Sequence, residues 1–111
     1  MTLDEYQDAA RRTLNVDWSL KDQQANAALG LAGEAGEVAD LYKKILYHGH
    51  QVPALTIVDE LGDVLWYLAA VASLEGLSLG DIAAANIAKL RVRYPNGFSQ
   101  EDSQRRADVA S

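Results

Sequence analysis

Four acidic residues of the sequence form two pairs with the same spacing. Glu34 and Glu37 make one pair, and Glu60 and Asp63 make the other. Residues three apart in a helix lie on neighbouring turns of one face, so each pair predicts two carboxylates on the same side of a helix. Mg²⁺ prefers oxygen ligands and is commonly shared between protein carboxylates and substrate phosphates. The pairs therefore suggest a divalent-cation site if they face each other.

The second pair lies in a segment that is apolar almost all round. A helix that is hydrophobic on every side is normally buried. An unpaired buried carboxylate costs several kcal/mol, so Glu60 and Asp63 need a cation or a proton there. The apolar residues of the segment are Leu55, Ile57, Val58, Leu61, Val64, Leu65, Trp66, Leu68, Val71 and Leu74.

The first pair lies among three glycines, Gly30, Gly33 and Gly36. Each glycine costs a helix about 1 kcal/mol relative to alanine. We therefore expect a packed helix or a ligand to approach this backbone closely. A single Glu-x-x-Glu is most often a solvated helix face. Two such pairs on adjacent antiparallel helices would instead face one point, and a divalent cation would relieve their repulsion.

Helical periodicity predicts four helices, over residues 3–14, 20–47, 53–74 and 78–94, and no segment shows a strong strand pattern. Three sites are typical of helix starts: the pair Thr2 and Glu5, the single residue Ser19, and the pair Ser78 and Asp81. The short connections favour antiparallel neighbours. We therefore expect an all-α, antiparallel four-helix bundle-like single domain over residues 1–98, followed by a polar tail over residues 99–111.

Composition restricts the classes of partner. The chain has 111 residues, no cysteine and a net charge of −6, which excludes thiolate metal sites and argues against duplex nucleic acid as a partner. The longest apolar run, over residues 64–72, is too short to cross a membrane, and the N-terminus lacks a signal-peptide pattern. We expect a soluble, cytoplasmic protein. Its small size favours self-association as a homodimer or homotetramer.

Three stretches of the sequence, residues 26–37, 59–67 and 86–98, resemble the MazG-like nucleotide pyrophosphohydrolases of the all-α NTP pyrophosphatase superfamily. The first two contain the acidic pairs, and the third reads Asn-x-x-Lys-Leu-x-x-Arg-Tyr-Pro-x-Gly-Phe. The resemblance implies Mg²⁺-dependent hydrolysis of a nucleoside triphosphate to the monophosphate and pyrophosphate, with Mn²⁺ as a possible substitute.

By this resemblance the metal ligands are Glu34, Glu37, Glu60 and Asp63. Glu37, and after it Glu34, are the candidates to orient the water that attacks the α-phosphorus. Gly33 stands where some relatives, notably dimeric dUTPases, carry a further acid, and this argues against a third metal ion and against dUTPase-like specificity.

Five more residues are candidates for substrate contact. Lys89 and Arg93 could simply favour a helix C-terminus, but the resemblance favours phosphate binding. Asn26 either contacts the nucleotide or bonds a neighbouring helix. Trp18 either stacks on a base or packs internally. Tyr67 shares the acidic face and could donate a hydrogen bond to a ligand or carboxylate.

Two other functions fit a helical protein with an acidic cluster. A di-iron carboxylate bundle typically uses Glu-x-x-His, and neither Glu37 nor Asp63 is replaced by histidine. A non-catalytic helical nucleotide-binding or assembly module is the main alternative, although complete motifs in all three stretches argue against it. His48 and His50 fall in an expected turn and are interpreted as solvated.

Overall fold

The computed structural model describes residues 1–109, whose regular structure is helical apart from one isolated bridge between Pro95 and Gly97. The all-α prediction is confirmed for these residues. The helices in chain order are α1 (Leu3–Arg11), α2 (Leu20–Tyr47), α3 (Ala54–Leu74), α4 (Leu79–Arg93) and α5 (Gln100–Arg105).

The helix boundaries follow largely from local capping. The capping box of Thr2 and Glu5 is present, with its two hydrogen bonds at 2.9 and 3.0 Å. Ser19 and Ser78 cap α2 and α4 as predicted. The predicted end of α1 at residue 14 is wrong. The helix stops at Arg11 because both the backbone amide and the hydroxyl of Thr13 donate to the carbonyl of Ala10.

The two longest helices, α2 and α3, pack against each other in antiparallel directions. The amide of Gln24 near the start of α2 donates to Glu75 just beyond the end of α3, at 2.9 Å. Further along α2, Glu34 lies beside Asp63 in the middle of α3. Contacts that advance along one helix and retreat along the other define an antiparallel pair, as the short connection requires.

A buried glutamine fixes α1 against the turn between α3 and α4. The Gln7 side chain is 2% exposed. Its amide nitrogen donates to the Ser73 hydroxyl at 3.1 Å and to the Leu77 carbonyl at 2.8 Å, while its oxygen accepts from the Leu79 amide at 2.7 Å. Asp4 of α1 also accepts from the Gly80 amide at 2.8 Å, at the start of α4.

The fourth helix does not complete a bundle with α2 and α3. It leaves α3 at a bend of 102° and packs mainly on α1 and α5. The radius of gyration is 17.2 Å, against about 13 Å for a compact domain of this length. A closed four-helix bundle is therefore not confirmed in the single chain, although the helices are.

Among residues 1–109, no helix by itself combines the length and hydropathy needed to cross a bilayer. The bent pair formed by α3 and α4 meets those two criteria when taken together.

Candidate functional site

Three of the four carboxylates predicted as metal ligands meet between α2 and α3. Each of Glu34, Glu60 and Asp63 offers one oxygen atom, and these atoms lie within 4.8 Å of one another. Glu34 and Glu60 are half-buried, whereas Asp63 is exposed. A compact set of carboxylate oxygens from two helices fits a hard divalent cation such as Mg²⁺. We call Glu34, Glu60 and Asp63 the acidic cluster.

The electrostatics of the acidic cluster are those expected of a cation site. Burial raises the pKa of Glu34, and the negative charges of Asp63, Glu60 and Glu37 raise this pKa further. The deprotonated carboxylates of the cluster therefore repel one another, and a bound cation would offset this repulsion.

Glu37 lies next to the acidic cluster but outside the set of three. It is one turn along α2 from Glu34 and is near enough for its charge to raise the pKa of Glu34. Two turns beyond Glu37, Lys44 forms an ion pair with Asp40 at 2.9 Å. The hydrogen bond to Asp40, and less strongly the charge of Glu37, raise the pKa of Lys44. This face of α2 therefore carries acidic and basic groups in succession.

The close approach of α2 and α3 depends on Gly30. The ring of Tyr67 lies where a side chain at position 30 would begin, so a Cβ atom there would overlap it. The expectation that a packed helix or a ligand needs a glycine is thus confirmed at this position. Gly33 and Gly36 are different, because an added Cβ would meet open space within the described residues.

Trp18 and Asn26 line one cleft, which opens between the α1–α2 loop, α2 and α3. The cleft is shallow and open to solvent: its cavity volume is about 20 Å³, close to that of a single water site. Trp66 forms part of its wall, one helical turn from Asp63. We call this space the indole cleft. Its lining is Leu14, Asn15, Trp18, Gln23, Asn26, Ala27, Trp66 and Ala70, none of which is charged.

Lys89 and Arg93 lie on α4, away from the acidic cluster. From the bend of 102° and a rise of about 1.5 Å per residue, their backbones lie about 20 Å or more from Asp63. Arg93 donates two hydrogen bonds to Asp108, at 2.8 and 2.9 Å, and the Asp108 side chain is 1% exposed. In the single chain, the bidentate guanidinium thus binds a carboxylate of the C-terminal segment.

Sequence reasoning missed two features of the site. Trp66 was expected in the core but is half-buried in the cleft wall, and its position three residues after Asp63 was the available signal. Tyr6 packs on the buried residues Ala69, Ala72 and Leu79. Burial and the charge of Asp63 raise the pKa of Tyr6, so the Tyr6 hydroxyl lies near enough to the acidic cluster to be influenced by it. No local pattern indicates that second role.

Comparison with known proteins assigns the family. The family model described as "MazG nucleotide pyrophosphohydrolase domain" matches residues 22–98, which span both acidic pairs and α4. A protein of Mycobacterium phage L5, named only "Gene 37 protein", is 38% identical over 82 residues, which cover 70% of this chain and 72% of the phage protein. No solved structure gives a significant match. The chain therefore belongs to the MazG nucleotide pyrophosphohydrolase family.

Proposed function

We propose that this protein hydrolyses a nucleoside triphosphate to the nucleoside monophosphate and pyrophosphate, with Mg²⁺ held by the acidic cluster. The observation that carries the proposal is the convergence of Glu34, Glu60 and Asp63 within 4.8 Å from two antiparallel helices. Bound Mg²⁺ would neutralise phosphate charge and lower the pKa of a coordinated water. Mn²⁺ has the same preference for oxygen ligands and could substitute.

Glu37 is the residue we assign to the attacking water. In this assignment it accepts a proton as the water oxygen bonds to the α-phosphorus and the bond to the pyrophosphate oxygen breaks. Support comes from its position beside Glu34 and outside the set of three carboxylates, because its oxygens then remain free to bind water or a further cation. Glu34 is the second candidate for this role, in addition to its role as ligand.

The indole cleft is the proposed site of the base and sugar. It adjoins the acidic cluster through Trp66 and is lined by neutral polar and aromatic side chains, which suit a nucleobase better than a phosphate. Trp18 would stack on the base and Asn26 would hydrogen-bond it. Tyr67, between the cleft and the cluster along α3, could donate a hydrogen bond towards the substrate.

A second copy of the chain is the proposed source of the cationic groups. Lys89 and Arg93 of the same chain lie about 20 Å or more from the cluster, so in an oligomer these groups could instead reach the phosphates of a neighbouring copy. The open shape and the exposed apolar side chains support association, since contiguous apolar surface commonly marks an interface. On α3 these side chains include Leu55, Val58 and Leu61, which are 67%, 60% and 52% exposed.

Product analysis tests the proposed reaction. The full chain would be incubated with a panel of nucleoside triphosphates and Mg²⁺ in water labelled with ¹⁸O. We expect pyrophosphate and a monophosphate that carries the label, and no product after chelation of the metal. Release of diphosphate and orthophosphate would contradict attack at the α-phosphorus. Nucleotide binding without any hydrolysis would favour the non-catalytic binding module.

Sedimentation tests the proposed assembly. A dimer or tetramer is expected at assay concentration. Asp63→Asn and Lys89→Ala are each expected to lose activity, and mixing the two variants should restore part of it, because a mixed oligomer can combine an intact acidic cluster from one copy with an intact Lys89 from another. A monomer that is fully active would refute the role of a second copy.

A further inference from the structure

One long-range hydrogen bond joins the α1–α2 loop, residues 12–19, to α3. The indole nitrogen of Trp66 donates to the hydroxyl of Thr13 at 2.7 Å, across 53 residues of sequence. The same hydroxyl donates to the Ala10 carbonyl at 2.7 Å. Because the Thr13 hydroxyl both accepts and donates, its orientation is fixed, and Thr13 sets where the loop meets α3.

The loop that Thr13 holds forms one wall of the indole cleft. Asn15 and Trp18 belong to this loop, and Trp66 stands opposite them on α3. The Trp66 ring also meets Tyr67 edge to face, with centroids 4.9 Å apart. Thr13 is itself outside the cleft lining. A change at Thr13 would therefore reach a bound base only through the loop and Trp66.

The polar atoms of this wall are already oriented by local bonds. The Asn15 side-chain oxygen accepts from the Asp17 amide at 3.1 Å, and the Gln23 side-chain nitrogen donates to the Trp18 carbonyl at 3.0 Å. The Asn15 nitrogen and the Gln23 oxygen keep hydrogen-bonding capacity towards a ligand. The loop thus presents a preorganised donor on Asn15, whose position relative to α3 depends on the Thr13–Trp66 bond, and the first turns of α2 present an acceptor on Gln23 beside it.

We propose that Thr13 is a positioning residue for base recognition: its hydrogen bond to Trp66 keeps the loop at the spacing from α3 at which Trp18 and Asn15 contact the base. The inference rests on the proposed function, because it takes the indole cleft as the base site. Preorganised contacts bind more tightly because less freedom is lost on binding, so a loosened loop should weaken base binding and leave the chemical step largely intact.

The test compares Thr13→Val with Thr13→Ser. Valine keeps the shape but removes the hydroxyl, whereas serine keeps the hydroxyl. For Thr13→Val we expect KM to rise about five- to tenfold with kcat within about twofold. The inhibition constant of the product monophosphate should rise in parallel, and that of pyrophosphate, which has no base, should not change. Thr13→Ser should restore the wild-type constants.

Three results would overturn the inference: wild-type KM in Thr13→Val, an equal rise in the inhibition constants of monophosphate and pyrophosphate, or a serine variant as defective as valine. Trp66→Phe removes the other partner of the bond. The loss in monophosphate binding free energy of the double variant should be smaller than the sum of the losses of the two single variants. Fully additive losses would count against a shared hydrogen bond.

Calorimetric binding of the monophosphate separates this inference from the proposed reaction. If the wild type binds monophosphate but hydrolyses no triphosphate, the proposed reaction fails. Weaker binding by Thr13→Val would then still support the positioning role. If the wild type binds no monophosphate, the base site and the role of Thr13 are both refuted.

Discussion

The ring of Tyr67 lies against the backbone of Gly30, one helical turn from the acidic cluster on both helices. Glu34 follows Gly30 by four residues, and Asp63 precedes Tyr67 by four. Residues four apart lie on one face of a helix, so this contact sets how far apart the two carboxylates stand. A packing contact without chemistry of its own thereby determines the geometry of the cluster.

Gly30→Ala should lower both stability and metal affinity. Alanine favours the helix by about 1 kcal/mol. Its Cβ atom would overlap the Tyr67 ring, and overpacking typically costs about 1–3 kcal/mol. Because the ring is also packed against Trp66, we expect the steric cost to exceed the gain, with a net loss of up to about 2 kcal/mol in the free energy of unfolding. Urea unfolding and Mg²⁺ titration measure the two effects.

Gly33→Ala is the matched control for the Gly30 variant. An added Cβ there meets open space, so the gain in helix propensity should stand alone at about 0.5–1 kcal/mol of stabilisation. Equal effects of alanine at positions 30 and 33 would show that the Tyr67 contact does not control the helix spacing.

Removal of one carboxylate from the acidic cluster should separate stability from function. In Glu60→Gln the charge that raises the pKa of Glu34 is reduced, so the metal-free protein should unfold at an equal or higher temperature than the wild type. Saturating Mg²⁺ should raise the melting temperature of the wild type and have little effect on the variant, because a ligand stabilises only the state that binds it. Turnover should fall at least about a hundredfold, the scale of a lost metal ligand or its support.

The control for Glu60→Gln is Asp8→Asn, the same type of change at an exposed carboxylate. Within residues 1–109, Asp8 forms a single ion pair, with Arg11 at 3.3 Å, and both side chains are exposed. Such pairs contribute little, so Asp8→Asn should retain both the Mg²⁺ effect and turnover. If Glu60→Gln kept the full Mg²⁺ effect on melting, the cluster would not be the metal site.

Local features of the fold were predictable from the sequence because their causes are local. Ser19 and Ser78 cap helices through amides only three residues away. The acidic pairs were recognisable because both spacing and surroundings are encoded along the chain. The antiparallel packing of α2 and α3 follows from their short connection, and it brings Glu34 to Asp63.

Features that depend on distant partners were not predictable. Gln7 is buried, although a glutamine is usually exposed to solvent. Its burial could not be predicted because the groups that satisfy its side chain lie 66 to 72 residues away in the sequence. The break between α3 and α4 was predicted, but their angle of 102° has no local signal in the sequence. The bond between Arg93 and Asp108 likewise joins the end of α4 to the polar tail, across 15 residues of sequence.

Gln7→Leu should destabilise the protein strongly despite burying a more apolar side chain. It would leave the amide of Leu79, a residue that is 3% exposed, without its partner, whereas the carbonyl of Leu77, a residue that is 53% exposed, could bond water instead. A buried group that loses its partner costs about 1–3 kcal/mol, so we expect a loss of about 1–3 kcal/mol in the free energy of unfolding. Gln104→Leu, at an exposed position of α5, should change stability by less than about 0.5 kcal/mol. Comparable losses in both variants would argue against the Gln7 network.

Acid should weaken the attachment of the C-terminal segment through Asp108. Hydrogen bonds from Arg93 and Arg106 hold the pKa of Asp108 well below its usual range. A carboxyl whose pKa is lower in the folded than in the unfolded state stabilises the fold above its unfolded pKa of about 3.9. This contribution is lost progressively as the pH falls from there towards the folded pKa. Asp108→Asn should therefore unfold at lower urea concentration than the wild type at pH 7, and the gap should narrow below about pH 4.

Glu101→Gln, a change at an exposed carboxylate, is the control that shows whether the pH dependence of stability comes from Asp108. The Glu101 side chain is 87% exposed and lies 4.0 Å from Arg105, so Glu101→Gln should track the wild type from pH 7 down to pH 2. Unfolding midpoints measured in parallel for the three proteins would show whether the narrowing belongs to Asp108. A gap between wild type and Asp108→Asn that stays constant over this range would mean that Asp108 binds its proton equally well in the folded and unfolded states. That result would contradict a role for the hydrogen bonds that Asp108 accepts from Arg93 and Arg106.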